Sequence, residues 1–143
     1  MAKTVVLDTN IFLNVKNKEE PYYASSVKVL EAIESGKIRG IVSVVTIAEM
    51  CSGYNEAGQE KEKTDFLDHL LATSSFMIMP LDAGLADYAG MIRAQTKLTL
   101  PDAIIIASGI KSGATAIITH DREFIRSSNP LKVLQAKDLL KEI

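Results

Sequence analysis

The feature that most constrains this chain is the form of its β-runs. Val5-Val6-Leu7, the stretch from Arg39 to Val45, Phe76 to Pro80, Ala116 to Thr119 and Lys132 to Leu134 are short, mainly apolar and β-branched. They lack the in/out alternation of a sheet with one wet face. Segments of helical period separate them: Ile11 to Val15, Tyr22 to Ser35, Thr46 to Tyr54, Glu60 to Thr73, Asp82 to Lys97, Pro101 to Ser112 and Ala136 to Lys141. Continuous apolar strands alternating with helices predict an α/β fold in which helices cover both faces of a parallel sheet. No linker or repeat divides the 143 residues, so residues 1–143 are expected to form a single domain.

Composition narrows the function classes. Cys51 is the only cysteine, which excludes an internal disulfide and a thiolate zinc site and favours a reducing, cytoplasmic setting. The longest apolar stretch, Ala103 to Ala107, falls far short of the roughly 20 residues needed to span a bilayer, and no signal-peptide core is legible. Trp is absent and aromatics make up 6% of residues, so an aromatic base-stacking platform is not expected. The net charge of −2 lacks the strongly basic footprint of a nucleic-acid binder. If four acids hold divalent metal, however, the balance of the protein becomes +2, and Lys61, Lys63, Arg93, Lys97, Lys111, Arg122 and Arg126 could contact phosphate.

Open parallel sheets form sites outside the carboxyl ends of their strands. That rule singles out Asp8 after the first strand, Glu49 after the second and Asp121 after the fourth; Asp102 stands at the mouth of an apolar, core-facing helix. Each has a local explanation. Asp8 and Asp121 suit helix N-caps. Thr46-Ile47-Ala48-Glu49 fits a capping box, and Asp102 beside Pro101 is ordinary helix-start chemistry. Thr119 could be a strand end or could orient a metal-bound water. The set carries more weight than its members. Crossover rules bring three of these positions to one sheet edge, and the Pro101 helix can deliver the fourth. Clustered carboxylates repel one another unless cations neutralise them. An all-oxygen donor set without nearby His or Cys suits Mg2+ or Mn2+.

Four segments in this order resemble the PIN-domain nucleases, and among them the VapC-type toxins. They are Val6-Leu7-Asp8-Thr9-Asn10, Thr46-Ile47-Ala48-Glu49, Leu100-Pro101-Asp102-Ala103-Ile104-Ile105-Ile106-Ala107 and Thr119-His120-Asp121-Arg122-Glu123-Phe124. The resemblance spans nearly the whole chain. It implies a three-layer α/β/α sandwich with a parallel sheet of about five strands in the order 3-2-1-4-5. It implies Mg2+- or Mn2+-dependent endoribonuclease action, with Asp8 as the central ligand, Asp102 and Asp121 completing the metal sites, and Glu49 binding directly or through water. Asn10 and Thr119 match small polar positions that steady the acids. The expected products carry 5′-phosphate and 3′-hydroxyl ends. The resemblance also implies a cognate antitoxin of a type II toxin–antitoxin pair, and a homodimer. Phe12, Leu13, Tyr22 and Tyr23 could line such surfaces, although core is the simpler reading of them. His120 departs from the family's pattern and reads as a solvated turn residue.

Other functions remain in view. A housekeeping RNA-processing PIN nuclease would carry the same acids, and a PIN-like interaction module would carry the fold without catalysis. His69 and His120 could act as acid and base in a metal-free ribonuclease, but His69 falls on the polar face of its helix. A phosphatase of the haloacid dehalogenase type needs a second Asp two residues after the first, where this chain has Asn10.

Overall fold

The computed structural model describes residues 2–126 and 130–143, and the side chain of Arg126, one of the candidate phosphate contacts, lies outside the described part. Five strands form one parallel sheet: β1 (Lys3–Leu7), β2 (Ile38–Ser43), β3 (Phe76–Met79), β4 (Ala116–Ile118) and β5 (Lys132–Leu134), in the order β3-β2-β1-β4-β5. The helices are α1 (Thr9–Lys16), α2 (Tyr23–Glu34), α3 (Val44–Glu56), α4 (Glu60–Ala72), α5 (Ala83–Thr96), α6 (Leu100–Lys111), α7 (Arg122–Arg126) and α8 (Ala136–Leu140). The expected α/β/α sandwich and its strand order are both present. Among the described residues no helix is long and apolar enough to cross a membrane.

Successive strand residues feed opposite cores, as a pleat requires. Val5 and Leu7 of β1 pack with Ile11, Phe12, Val29, Ile33, Met50 and Leu139 on one face. Val6 packs with Leu85, Ala89, Ile92, Ile105 and Phe124 on the other. The run from Ala103 to Gly109 in α6 is buried throughout, which explains why its apolar residues are not confined to a stripe. Gly109 lets this helix lie against the central strand: a Cβ there would come within 2.5 Å of Val6 Cγ1. Two half-sheets run outward from β1 in opposite directions, so the crevice at its carboxyl end is the topological switch point.

The capping box at Thr46 does not form, because α3 starts two residues earlier. Ser43 is its N-cap and accepts a hydrogen bond from the Val45 amide (3.1 Å). Thr46 therefore sits inside the helix, on the same face as Glu49 three residues on. Its hydroxyl is turned toward α1 rather than to its own backbone.

Candidate active site

The site is built on β1 and its neighbours. Leu7 pairs with Ile118 in the register of β1 and β4, and the Asp8 amide extends that ladder by donating to the Ile118 carbonyl (3.0 Å). Asp8 and Thr119 are thus adjacent because the strands are parallel and in register. Asp8 caps α1, its Oδ1 accepting from the Thr9 amide at 2.8 Å. Its Oδ2 accepts from the Thr119 hydroxyl at 2.7 Å. Cap and site residue are therefore compatible roles for one carboxylate.

Thr119 Oγ1 also accepts from the Asp121 amide (3.0 Å) and from Asn10 Nδ2 (3.4 Å). Its one proton and both lone pairs are engaged. The hydroxyl orients Asp8 and the turn carrying Asp121, rather than a water. Asp121 in turn caps α7, accepting from the Glu123 amide at 2.9 Å. Asn10 Oδ1 accepts from the His120 amide at 3.4 Å, a second tie between α1 and this turn.

Asp102 enters from the third side, on the first turn of α6. Thr99 is the N-cap, and its hydroxyl accepts from the Asp102 amide at 3.4 Å. Glu49 comes from α3. Its Oε1 accepts from the Thr9 hydroxyl at 2.6 Å, and Thr9 Oγ1 lies 2.9 Å from Thr46 Oγ1.

The charges of these acids are coupled. Asp8 is 5% exposed. Burial is the main reason its carboxyl is pushed up to about 7; the Thr119 hydroxyl and the Thr9 amide lower it, while the charges of Asp102 and Asp121 raise it. Partial burial also raises the Asp102 carboxyl above its ordinary value. The Thr99 hydroxyl opposes this, and Asp121, Glu49 and Glu123 add to it. The four sequence-selected acids therefore share one electrostatic neighbourhood, with Glu123 as an unexpected fifth member. Among the described residues, no lysine or arginine pairs with Asp8, Glu49, Asp102 or Asp121.

The donor chemistry suits a hard divalent cation: carboxylate oxygens, hydroxyl partners and, among the described residues, no cationic side chain paired with the acids. The arrangement is not a closed chelate. Among the described residues, no three His, Cys, Asp or Glu side chains are gathered tightly enough to ligate one ion. Hydrogen bonds to Thr9, Thr119 and the Glu123 amide hold Glu49, Asp8 and Asp121 in place by one oxygen or both. The remaining oxygens of Glu49 and Asp121, the Asp102 carboxylate beyond its bond to the Thr99 hydroxyl, and the second lone pairs of the Asp8 oxygens are the ones that could turn toward an ion.

His120 is not a solvated turn residue. It is 8% exposed and stacks on Tyr22 with ring centroids 4.2 Å apart. Its Nε2 accepts from the Ala136 amide (3.3 Å), so Nδ1 carries the proton and donates to Asn14 Oδ1 (2.7 Å). Asn14 Oδ1 also accepts from Ser26, and Asn14 Nδ2 donates to Glu19. Burial lowers the His120 pKa, and the charge of Lys137 lowers it further. The sequence gives little warning of this buried network, because a His in a turn looks wet and its partners come from α1, α2 and the start of α8. Phe12 is likewise core, edge-on to Phe66 at 5.7 Å, while Leu13, Tyr22 and Tyr23 are half-buried.

The candidate phosphate contacts separate into two groups. Lys61 is paired with Asp65 and Lys63 with Glu60. Lys111 lies over the Tyr88 ring at the far end of α6 from Asp102. Arg93 and Lys97 instead line a cavity with Leu100, two residues before Asp102, and Arg122 is exposed beside Asp121.

Three solved structures illustrate the likeness of fold. A toxin–antitoxin complex from Klebsiella pneumoniae contains a chain with 24% identity and a TM-score of 0.69, covering 92% of this chain and 97% of that one. DNA-bound VapBC from Salmonella typhimurium gives 22% identity and a TM-score of 0.69, covering 95% and 99%. The sarcin–ricin loop cleaving toxin VapC20 of Mycobacterium tuberculosis gives 14% and 0.68, covering 85% and 92%. No curated protein sequence matches significantly. The sequence itself matches the PIN domain over residues 5–129, which takes in all four acids and the strands and helices that carry them: the chain belongs to the PIN domain family.

Proposed function

We propose that this PIN domain, taken as residues 1–143, is a Mg2+- or Mn2+-dependent endoribonuclease and the toxin of a type II toxin–antitoxin pair acting in the cytoplasm. The observation that carries the reading is the acidic cluster itself. Carboxylates from four separate segments are electrostatically coupled, none of them is paired with a lysine or arginine among the described residues, and the Asp8 carboxyl is pushed up to about 7. A buried carboxylate such as Asp8, with half-buried Asp102 and Asp121 beside it, is costly to ionise unless it binds positive charge. Asp8, Asp102 and Asp121 would hold the cation, with Glu49 beside them.

A bound divalent cation supplies an activated water and a counter-charge to the phosphodiester. The chain's own groups do the rest. Thr119 and the Thr9 amide fix both oxygens of Asp8, so its carboxylate is pre-oriented. Asp102 is delivered on a rigid buried helix. Arg93, Lys97 and Arg122 are placed to meet the flanking phosphates of an RNA strand. RNA as substrate draws support from VapC20, a sarcin–ricin loop cleaving toxin. An antitoxin partner draws support from the Klebsiella and Salmonella assemblies. A homodimer is part of the same reading.

The test is cleavage of RNA by the purified chain with Mg2+ or Mn2+, then with excess EDTA. The reading expects cleavage that stops with EDTA and leaves 5′-phosphate ends. Cleavage that survives EDTA and leaves 2′,3′-cyclic phosphate contradicts it and would return attention to His69 and His120. Their positions do not favour that chemistry: His69 Nε2 is bonded to Glu34 on the far surface of α4, and His120 has both nitrogens occupied.

A further inference from the structure

Thr9 contributes to the site twice. Its amide donates to Asp8 Oδ1 and its hydroxyl to Glu49 Oε1, so one residue orients two of the four carboxylates. A threonine hydroxyl has one proton. Because that proton goes to Glu49, the 2.9 Å contact with Thr46 must have Thr46 as donor and Thr9 as acceptor. The result is a directed chain, Thr46 to Thr9 to Glu49, running from inside α3 across to α1 and back to α3. Thr46 is fully buried and Thr9 is 5% exposed, so water is kept from the Thr46–Thr9 link and reaches the chain only at its Glu49 end, where the carboxylate is exposed. The contact ties up Glu49 Oε1 and leaves Oε2 available. Both partners are uncharged, so the carboxylate keeps its full attraction for a cation.

We propose that Thr9, oriented by Thr46, is the positioning residue that presents Glu49 to a divalent cation. The proposal rests on the metal-site reading above and assigns the hydroxyl pair a role of its own. Removing the hydroxyl would free a long side chain to rotate, and the ordering would have to be met at the moment of ion binding. Loss of such a supporting partner typically weakens metal affinity by about 10- to 100-fold.

The experiment is direct Mn2+ titration of the full chain, read by the loss of the free-ion EPR signal, for the parent, Thr9→Val, Thr9→Ser, Thr46→Val, Glu49→Gln and the double variant Thr9→Val/Glu49→Gln. Thr9→Val is expected to weaken Mn2+ binding about 10-fold or more. Thr9→Ser should stay near the parent, because it keeps the hydroxyl. Thr46→Val, which leaves Thr9 in place, should weaken binding less than Thr9→Val. The double variant should bind no more weakly than Glu49→Gln alone, since both changes remove one interaction. If Thr9→Val binds as the parent does while Glu49→Gln is weakened, or if the two losses simply add, the proposal is overturned and the metal site stands. If Glu49→Gln itself binds Mn2+ like the parent, it is the reading of Glu49 as a metal group that fails, and the proposal with it.

Discussion

Thr119 donates its hydroxyl to Asp8 Oδ2 across 2.7 Å, joining the ends of β1 and β4 although the residues are 111 positions apart. The same oxygen accepts from Asn10 and from the Asp121 amide, so one buried hydroxyl connects α1, the central strand and the turn before α7. Thr119→Val keeps the shape and deletes these bonds. Cleavage is expected to fall about 10- to 100-fold, with Thr119→Ser close to the parent. The bond also lowers the Asp8 carboxyl, so the Asp8 pKa should rise in Thr119→Val, as followed by carboxyl NMR titration.

Asp8 should give stability an unusual pH dependence. Its carboxyl titrates near 3.8 in the unfolded chain and at about 7 in the folded one. The folded state therefore holds the proton more tightly, and this contribution is fully present below about 4 and lost as pH rises through 7. The difference amounts to about 4 kcal/mol at most. His120 works in the opposite sense, because its lowered pKa removes stability as pH falls below its ordinary value. The informative quantity is therefore the Tm of Asp8→Asn minus that of the parent. Without divalent cation it should increase between pH 5 and pH 8, and Mn2+ should raise the Tm of the parent more at pH 8 than at pH 5.

Gly109 controls the seat of α6 on β1, and through it the distance between Asp102 and Asp8. In Gly109→Ala the new methyl meets Val6 Cγ1 at 2.5 Å and Val6 Cβ at 2.9 Å, groups too close to the backbone to swing away. The helix must move outward. Urea unfolding should show a loss of about 1–3 kcal/mol. Cleavage should fall even at temperatures where the variant is fully folded.

Arg93 and Lys97 line a cavity with Leu100, beside the start of α6, where an RNA strand at the acids would find them. The double change Arg93→Ala/Lys97→Ala should raise KM for RNA and make the salt dependence of binding shallower by about one to two phosphate contacts. Lys61→Ala and Lys63→Ala, whose ammonium groups are already paired, should change neither.

The skeleton of this site was legible in the chain. Val5-Val6-Leu7 and the Ala103–Ala107 run are apolar on every side, so their burial between layers did not depend on distant detail. Acids directly after such strands fall at the sheet edge by geometry alone. What local sequence could not provide was the pairing of side chains across elements. Thr9 and Thr46 look like ordinary helix-start residues, and only the packing of α1 against α3 makes them partners. Ser43 and Thr46 are both competent N-caps; the choice went to Ser43, where the pairing of β2 with β3 ends at Met79. His120 sits in a turn, and its burial depends on Tyr22, Asn14 and Ala136 arriving from three other places.

The metal-site reading is tested by the rate of RNA cleavage by Asp8→Asn against the parent at saturating Mg2+, with circular dichroism confirming that both are folded. Asparagine keeps the capping oxygen for the Thr9 amide but removes the charge at the centre of the cluster. A metal held at Asp8 requires a fall of at least about 100-fold. A variant that cuts as fast as the parent would contradict that reading.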